Sequence, residues 1–118
     1  MAIGLSLADQ AVECFGVDNQ IRKAAEECLE LAAALLKIAD VTGGFNDITI
    51  SQVVEEIADV EICIEQLKEV FDSSVISAVK KKKEFRLFDT IQAFRSSRDK
   101  NNRGRLESVA TWETSGAE

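Results

Sequence analysis

Histidine is absent from this chain, and so are proline and tyrosine. Without imidazole, and with three cysteines in no thiolate-ligand spacing, the chain lacks the usual ligands of a zinc or iron site. The missing prolines and an aromatic content of 6% disfavour a β-rich protein, whose strands and turns draw on both. An all-α domain is the class that remains. Basic residues are short as well. Fourteen of them against 21 acidic residues leave a net charge of −7, which argues against a broad nucleic-acid surface. No apolar run has the length of a membrane span, and the N-terminus lacks the basic start of a secretory signal. Cys14, Cys28 and Cys63 are odd in number and fall on predicted helices. They read as small buried hydrophobes in a reducing, cytoplasmic setting rather than as a disulfide framework. At 118 residues, 46% of them hydrophobic, the length suits one globular domain.

What the chain holds in plenty is carboxylate, concentrated in Glu26-Glu27-Cys28-Leu29-Glu30 and Glu55-Glu56-Ile57-Ala58-Asp59. Glu27/Glu30 and Glu56/Asp59 are each three apart, which on a helix leaves them roughly 60° apart and able to reach one point. On a wheel drawn at about 100° per residue, Val53, Ile57, Val60, Ile64, Leu67 and Phe71 share one face of the second stretch. Glu61, Glu65, Lys68, Glu69 and Asp72 gather opposite, as a solvated face should. Glu56 lands between Cys63 and Leu67 on the apolar flank, with Asp59 just beyond. An ionised carboxylate there is costly unless a cation or strong donors meet it. Carboxylates without imidazole or thiolate suit a hard cation, Mg²⁺ or Mn²⁺, held jointly with substrate phosphates. Any one of these acids read alone is an ordinary helix-face charge; the pair of clusters is what points to a metal.

In chain order, Ser6 caps a short helix to residue 15, with Asp9 reaching back and Leu5, Ala8, Val12 and Phe15 as its apolar edge. Gly16 ends it, and Asp18 or Asn19 caps a second helix over about residues 19–39. The apolar arc of that helix, Ile21, Ala25, Cys28, Leu31, Ala32 and Leu35, covers nearly half its circumference. So wide an arc needs neighbours on two sides. It predicts an antiparallel bundle of about four helices completed by oligomerisation, as a homodimer or homotetramer. Residues 40–50 form a loop in which Gly43-Gly44 breaks the helix, and Thr49 or Ser51 caps a third helix running to about Phe71. A fourth runs from Ser73 or Ser74 to about Phe94 and carries Lys80-Lys81-Lys82-Lys83 and Arg86. Lys81 and Lys82 read as solvated. Lys80 and Lys83 share a sector with Ile76, Leu87 and Phe94, so they are the cations to place near a phosphate. From Ser96 the composition turns to Ser, Arg, Asn, Gly and Thr. Residues 1–95 are thus expected to be the domain, and 96–118, with Trp112, a flexible or partner-docked extension.

The order Glu27-Cys28-Leu29-Glu30, a loop, then Glu56-Ile57-Ala58-Asp59 resembles the metal-binding pattern of the all-α nucleoside triphosphate pyrophosphohydrolases, the MazG-like group. Gly16 and Gln20 ahead of Lys23, and Asp59-Val60 after Glu55-Glu56, agree with it; the likeness spans about residues 15–88. The resemblance implies that Glu27, Glu30, Glu56 and Asp59 hold Mg²⁺ and that water attacks the α–β linkage of a nucleoside triphosphate, giving monophosphate and pyrophosphate in nucleotide-pool house-cleaning. Glu26 or Glu55 takes the water's proton or holds a further metal in this reading, and Lys80, Lys83 and Arg86 hold the outgoing pyrophosphate. Gln20 and Lys23, one and two turns ahead of Glu27, face the substrate. The related phosphoribosyl-ATP pyrophosphohydrolases follow their second motif with an aromatic-histidine pair, where this chain has Val60-Glu61-Ile62-Cys63. A competing reading, a non-enzymatic helical module that oligomerises through alanine-rich faces, uses the same wide arc. Metal dependence separates it from the enzyme.

Overall fold

The computed structural model of the chain describes the backbone of residues 4–40 and 44–116 and the side chains of residues 4–39 and 44–105. Four helices follow in order, α1 (Leu7–Phe15), α2 (Val17–Asp40), α3 (Asp47–Val70) and α4 (Ser73–Gly116), with no strand among the described residues. The expected all-α class is what the chain adopts. It forms two compact units, Met1–Ile76 and Ser77–Glu118. Among the described residues no helix is long and apolar enough to cross a membrane.

Helix α1 begins as expected. The Ser6 hydroxyl accepts the Asp9 N–H at 3.0 Å, and the Asp9 carboxylate accepts the Ser6 N–H at 3.2 Å, a reciprocal cap. Gly16 closes the helix at φ 90°, where a side chain would be strained, and α2 starts at the next residue. Neither Asp18 nor Asn19 caps α2. Asp18 lies in its first turn, and the Asn19 amide donates back to the Phe15 carbonyl at 2.8 Å.

The connection to α3 is shorter than the expected 40–50, and Gly43 lies outside the described residues. Asn46 rather than Thr49 or Ser51 is the cap, accepting the Ile48 and Thr49 N–H groups at 3.0 Å each. Thr49 sits three residues in, and its hydroxyl oxygen accepts the Asn46 N–H at 3.1 Å. Asparagine outranks threonine as a cap, so the earlier residue takes the role. Gly44 is buried, and a Cβ there would stand 2.6 Å from the Ile38 carbonyl oxygen and 2.9 Å from the Ile38 Cα. Only glycine lets the chain pass so close to the end of α2.

Helices α2 and α3 run antiparallel, with Gln20 beside Gln66, Glu27 beside Asp59, and Glu30 beside Glu56. Helix α1 packs on both. The covered seam of α2 is Gln20, Ala24, Glu27 and Ala34, with Leu31 and Ile38 half-buried. On α3 the covered residues are Val60 and Cys63, with Val53, Glu56, Gln66, Leu67 and Val70 half-buried. The inward face is therefore rotated by roughly 60° from the one expected, and Ile57, Ile64 and Phe71 are exposed. Apolar residues cover so much of α3 that hydrophobicity alone does not choose its inner side. The buried apolar positions are small on both helices, Ala24 and Ala34 on α2 and Val60 and Cys63 on α3. The cysteine reading is corrected with it: Cys63 is buried, but Cys14 and Cys28 are exposed.

Helix α4 is twice the expected length. It starts at Ser73, where the Asp72 carboxylate accepts the Ser74 hydroxyl at 2.6 Å and the Val75 and Ser74 N–H groups at 3.3 and 2.9 Å, bonds that hold the Asp72 pKa down. It does not end near Phe94 but continues through Ser96-Ser97 to Gly116, so the expected boundary at residue 95 is not a break in secondary structure. No proline interrupts it, and one internal glycine, Gly104, costs about 1 kcal/mol, too little to stop a helix. Trp112 lies beyond the residues whose side chains are described.

Candidate metal centre

The two carboxylate clusters meet where α2 and α3 cross. One oxygen each from Glu27, Glu30 and Glu56 lies within 4.8 Å of the others. Glu27 is buried, Glu56 half-buried and Glu30 exposed, so the group opens to solvent along the Glu30 side. Glu27 Oε1 accepts the Lys23 ammonium at 3.0 Å, while Glu27 Oε2 and Glu56 Oε2 are buried without a hydrogen-bond partner. An unpaired buried carboxylate oxygen costs about 1–3 kcal/mol or more. The two orphaned oxygens stand in one group, and an all-oxygen donor set of this kind suits Mg²⁺ or Mn²⁺. The crowding has an electrostatic mark. Glu27 and Glu56 push the Glu30 pKa above its ordinary value, and the bond to Glu27 raises that of Lys23.

Asp59 is exposed rather than among the three converging oxygens, and it borders Glu27 in a cavity of about 100 Å³ that Lys23, Gln20, Ile62, Cys63 and Gln66 complete. Burial, then the Glu27 charge, pushes the Cys63 thiol pKa up, so that thiol is a packing group. A larger hollow of about 530 Å³ adjoins it, sharing Gln20, Lys23 and Gln66 and adding Phe15, Asn19, Arg22 and Glu26. The Gln20 amide donates to the Gln66 carbonyl oxygen and bridges α2 to α3 between the two hollows. Phe15 leaves 61% of its surface exposed at the outer end.

Of the residues expected from sequence, Glu27, Glu30 and Glu56 come together, Asp59, Gln20 and Lys23 flank them, and Glu26 borders the larger hollow. Glu55 is exposed and borders none of these hollows. Lys80, Lys83 and Arg86 belong to the second unit, where every described side chain from Ser77 to Arg105 is exposed, Lys81 and Lys82 included. Gln66, Asn19, Arg22 and Phe15 were not expected. Gln66 had a signal: it continues the series Glu56, Asp59, Cys63 at helical spacing, a polar residue on the flank that already held two acids. Compared with protein-family models, with curated proteins and with solved structures, the chain gives no match.

Proposed function

We propose that this chain is a Mg²⁺-dependent hydrolase, with Mn²⁺ an alternative, that cuts nucleoside triphosphates at the α–β linkage into monophosphate and pyrophosphate, in the manner of the MazG-like group that its acid pattern resembles. The observation that carries the reading is the convergence of Glu27, Glu30 and Glu56, from two helices, with two buried oxygens left unpartnered. Glu27, Glu30 and Glu56 hold the cation, and Asp59 stands next to Glu27 as a further ligand. When bound, the cation neutralises charge on the phosphoryl group and lowers the pKa of a coordinated water. Glu26 is the better placed of the two expected bases, because it borders the larger hollow and Glu55 does not. That hollow receives the nucleoside: Phe15 offers an apolar ring face at its outer end, and the unused amide valences of Gln20 and Gln66 offer a donor and an acceptor side by side.

The same reading includes assembly with a second copy. Ile21 and Leu35 on α2, and Ile50, Ile57 and Ile64 on α3 with Phe71 at its C-terminal cap, are each more than a third exposed. Ile50, Ile57, Ile64 and Phe71 recur every seventh position, the repeat of a helix seam. The direct test is incubation with common and modified nucleoside triphosphates, with and without Mg²⁺, read by pyrophosphate release. Release that requires Mg²⁺ supports the proposal. Absence of release across the panel, together with no thermal stabilisation by Mg²⁺ or Mn²⁺, overturns it in favour of an inert helical module.

A further inference from the structure

Lys23 and Glu27 form the one ion pair that reaches the carboxylate group among the described residues. As a surface pair on a helix it is poorly arranged, since a lysine placed four residues before a glutamate is the weaker of the two orders. Its partners are also unequal, the Lys23 side chain 56% exposed and that of Glu27 only 10%. The bond satisfies one oxygen of Glu27 and leaves the other without a partner. Lys23 borders both hollows, the small one beside Glu27 and Asp59 and the larger one beside Asn19, Gln20 and Arg22. Its flexible four-carbon stem carries a compact charge with two places to go.

We propose that Lys23 is the resident counter-ion of the carboxylate group. It neutralises Glu27 until a divalent cation takes that carboxylate, then turns its ammonium into the larger hollow to meet the substrate's phosphates. This rests on the metal reading given above and adds a coupling to it. Lys23 holds Oε1 and the metal would meet the free Oε2, but two cations on one carboxylate repel, so each weakens the other's hold on Glu27. Displacement of Lys23 delivers a positive charge to the substrate's side at the moment the metal is in place. Lys23 is a competitor of the metal and a positioning residue for the nucleotide, two effects of opposite sign from one side chain.

The experiment measures Mn²⁺ affinity, by the paramagnetic resonance of free Mn²⁺ at fixed pH and salt, for the wild type, Lys23→Met, Lys23→Arg and Arg22→Met. Nucleotide turnover is measured alongside. Arg22 has the same charge one residue away and no ion pair with the carboxylates. Lys23→Met is expected to bind Mn²⁺ about threefold to tenfold more tightly, while its KM for nucleotide rises more than its kcat falls. Lys23→Arg is expected to stay near the wild type, and Arg22→Met to leave Mn²⁺ affinity unchanged. An unchanged or weakened Mn²⁺ affinity in Lys23→Met overturns the exchange. So does an equal gain in Arg22→Met, which would make the effect one of bulk charge. If none of the four proteins binds Mn²⁺, the metal reading itself has failed and this inference falls with it.

Discussion

One seam of α2, running Gln20, Ala24, Glu27, Leu31, Ala34 and Ile38, faces α3 and is wholly or half covered. The next, Ile21, Ala25, Cys28, Ala32 and Leu35, is one residue out of step and exposed. The covered seam is the more polar of the two. Burying an isoleucine or leucine contributes about 1.5–3 kcal/mol, whereas burying an amide and a carboxylate costs free energy unless each is paired. A fold chosen for monomer stability alone would have turned the other seam inward. The contact between α2 and α3 therefore buries Gln20 and Glu27 while the more apolar seam stays exposed, which is the surface proposed above for a second copy.

The sharpest way to break this contrast is to take one charge from the carboxylate group in which the covered seam's Glu27 meets Glu56 of α3. Glu56→Gln is expected to lower Mg²⁺-dependent kcat/KM by at least about a hundredfold, roughly 2.7 kcal/mol of transition-state stabilisation. The metal-free protein should melt no lower than the wild type, because the substitution takes one charge out of a crowded group. Steady-state kinetics and a melting curve without metal check both halves. Wild-type turnover in this variant would show that the covered seam carries ordinary helix charges.

The exposed seam is tested by charge in the opposite place. Leu35→Glu or Ile64→Glu puts a carboxylate into the surface proposed for the second copy. Light scattering at micromolar concentration should then fall from a multiple of 13.0 kDa to a single chain, while Glu56→Gln leaves the assembly intact. A wild-type protein that already runs as one chain would leave the apolar seam unexplained and end the contrast.

Much of this was readable in the residues. The cap at Ser6, the stop at Gly16 and the start at Ser73 follow from local chemistry, and local chemistry is what a sequence states outright. The convergence of Glu27, Glu30 and Glu56 was also readable, because a carboxylate on an apolar flank has to be met by something. The rotation of α3 was not. Its apolar residues span too wide an arc to name one inner side, so the choice rests on the packing against α2 and α1 and not on α3's own pattern. The length of α4 was missed for a related reason: a polar stretch without proline reads alike as extension or as solvated helix, and nothing in its composition forbids the helix.

The smallest expected effect lies away from both seams, at the contact of α1 with α3. The Asp9 and Glu69 carboxyls are neighbours that can share a hydrogen bond when one of them carries a proton. Glu69 and then Ser6 hold the Asp9 pKa below its ordinary value of 3.8. Asp9, with burial and Glu65 adding to it, holds the Glu69 pKa above its ordinary value of 4.5. For Glu69 the folded chain binds the proton more tightly than the unfolded chain. Its contribution is complete below the ordinary glutamate value and is lost as pH rises through the folded value. Asp9 runs the other way, contributing above its ordinary value and losing that contribution as pH falls through its folded value. The pair therefore supports the fold most in mild acid, with one proton between two oxygens, and less toward neutrality. Glu69→Gln keeps an N–H donor opposite Asp9 at every pH. Melting temperatures of the two proteins from about pH 4.5 to about pH 7.5 should diverge, the variant gaining on the wild type as pH rises. Glu69 is exposed and Asp9 only half-buried, so the divergence is small. A constant difference across that range would mean that the proton is not shared and that Asp9 serves α1 only through Ser6.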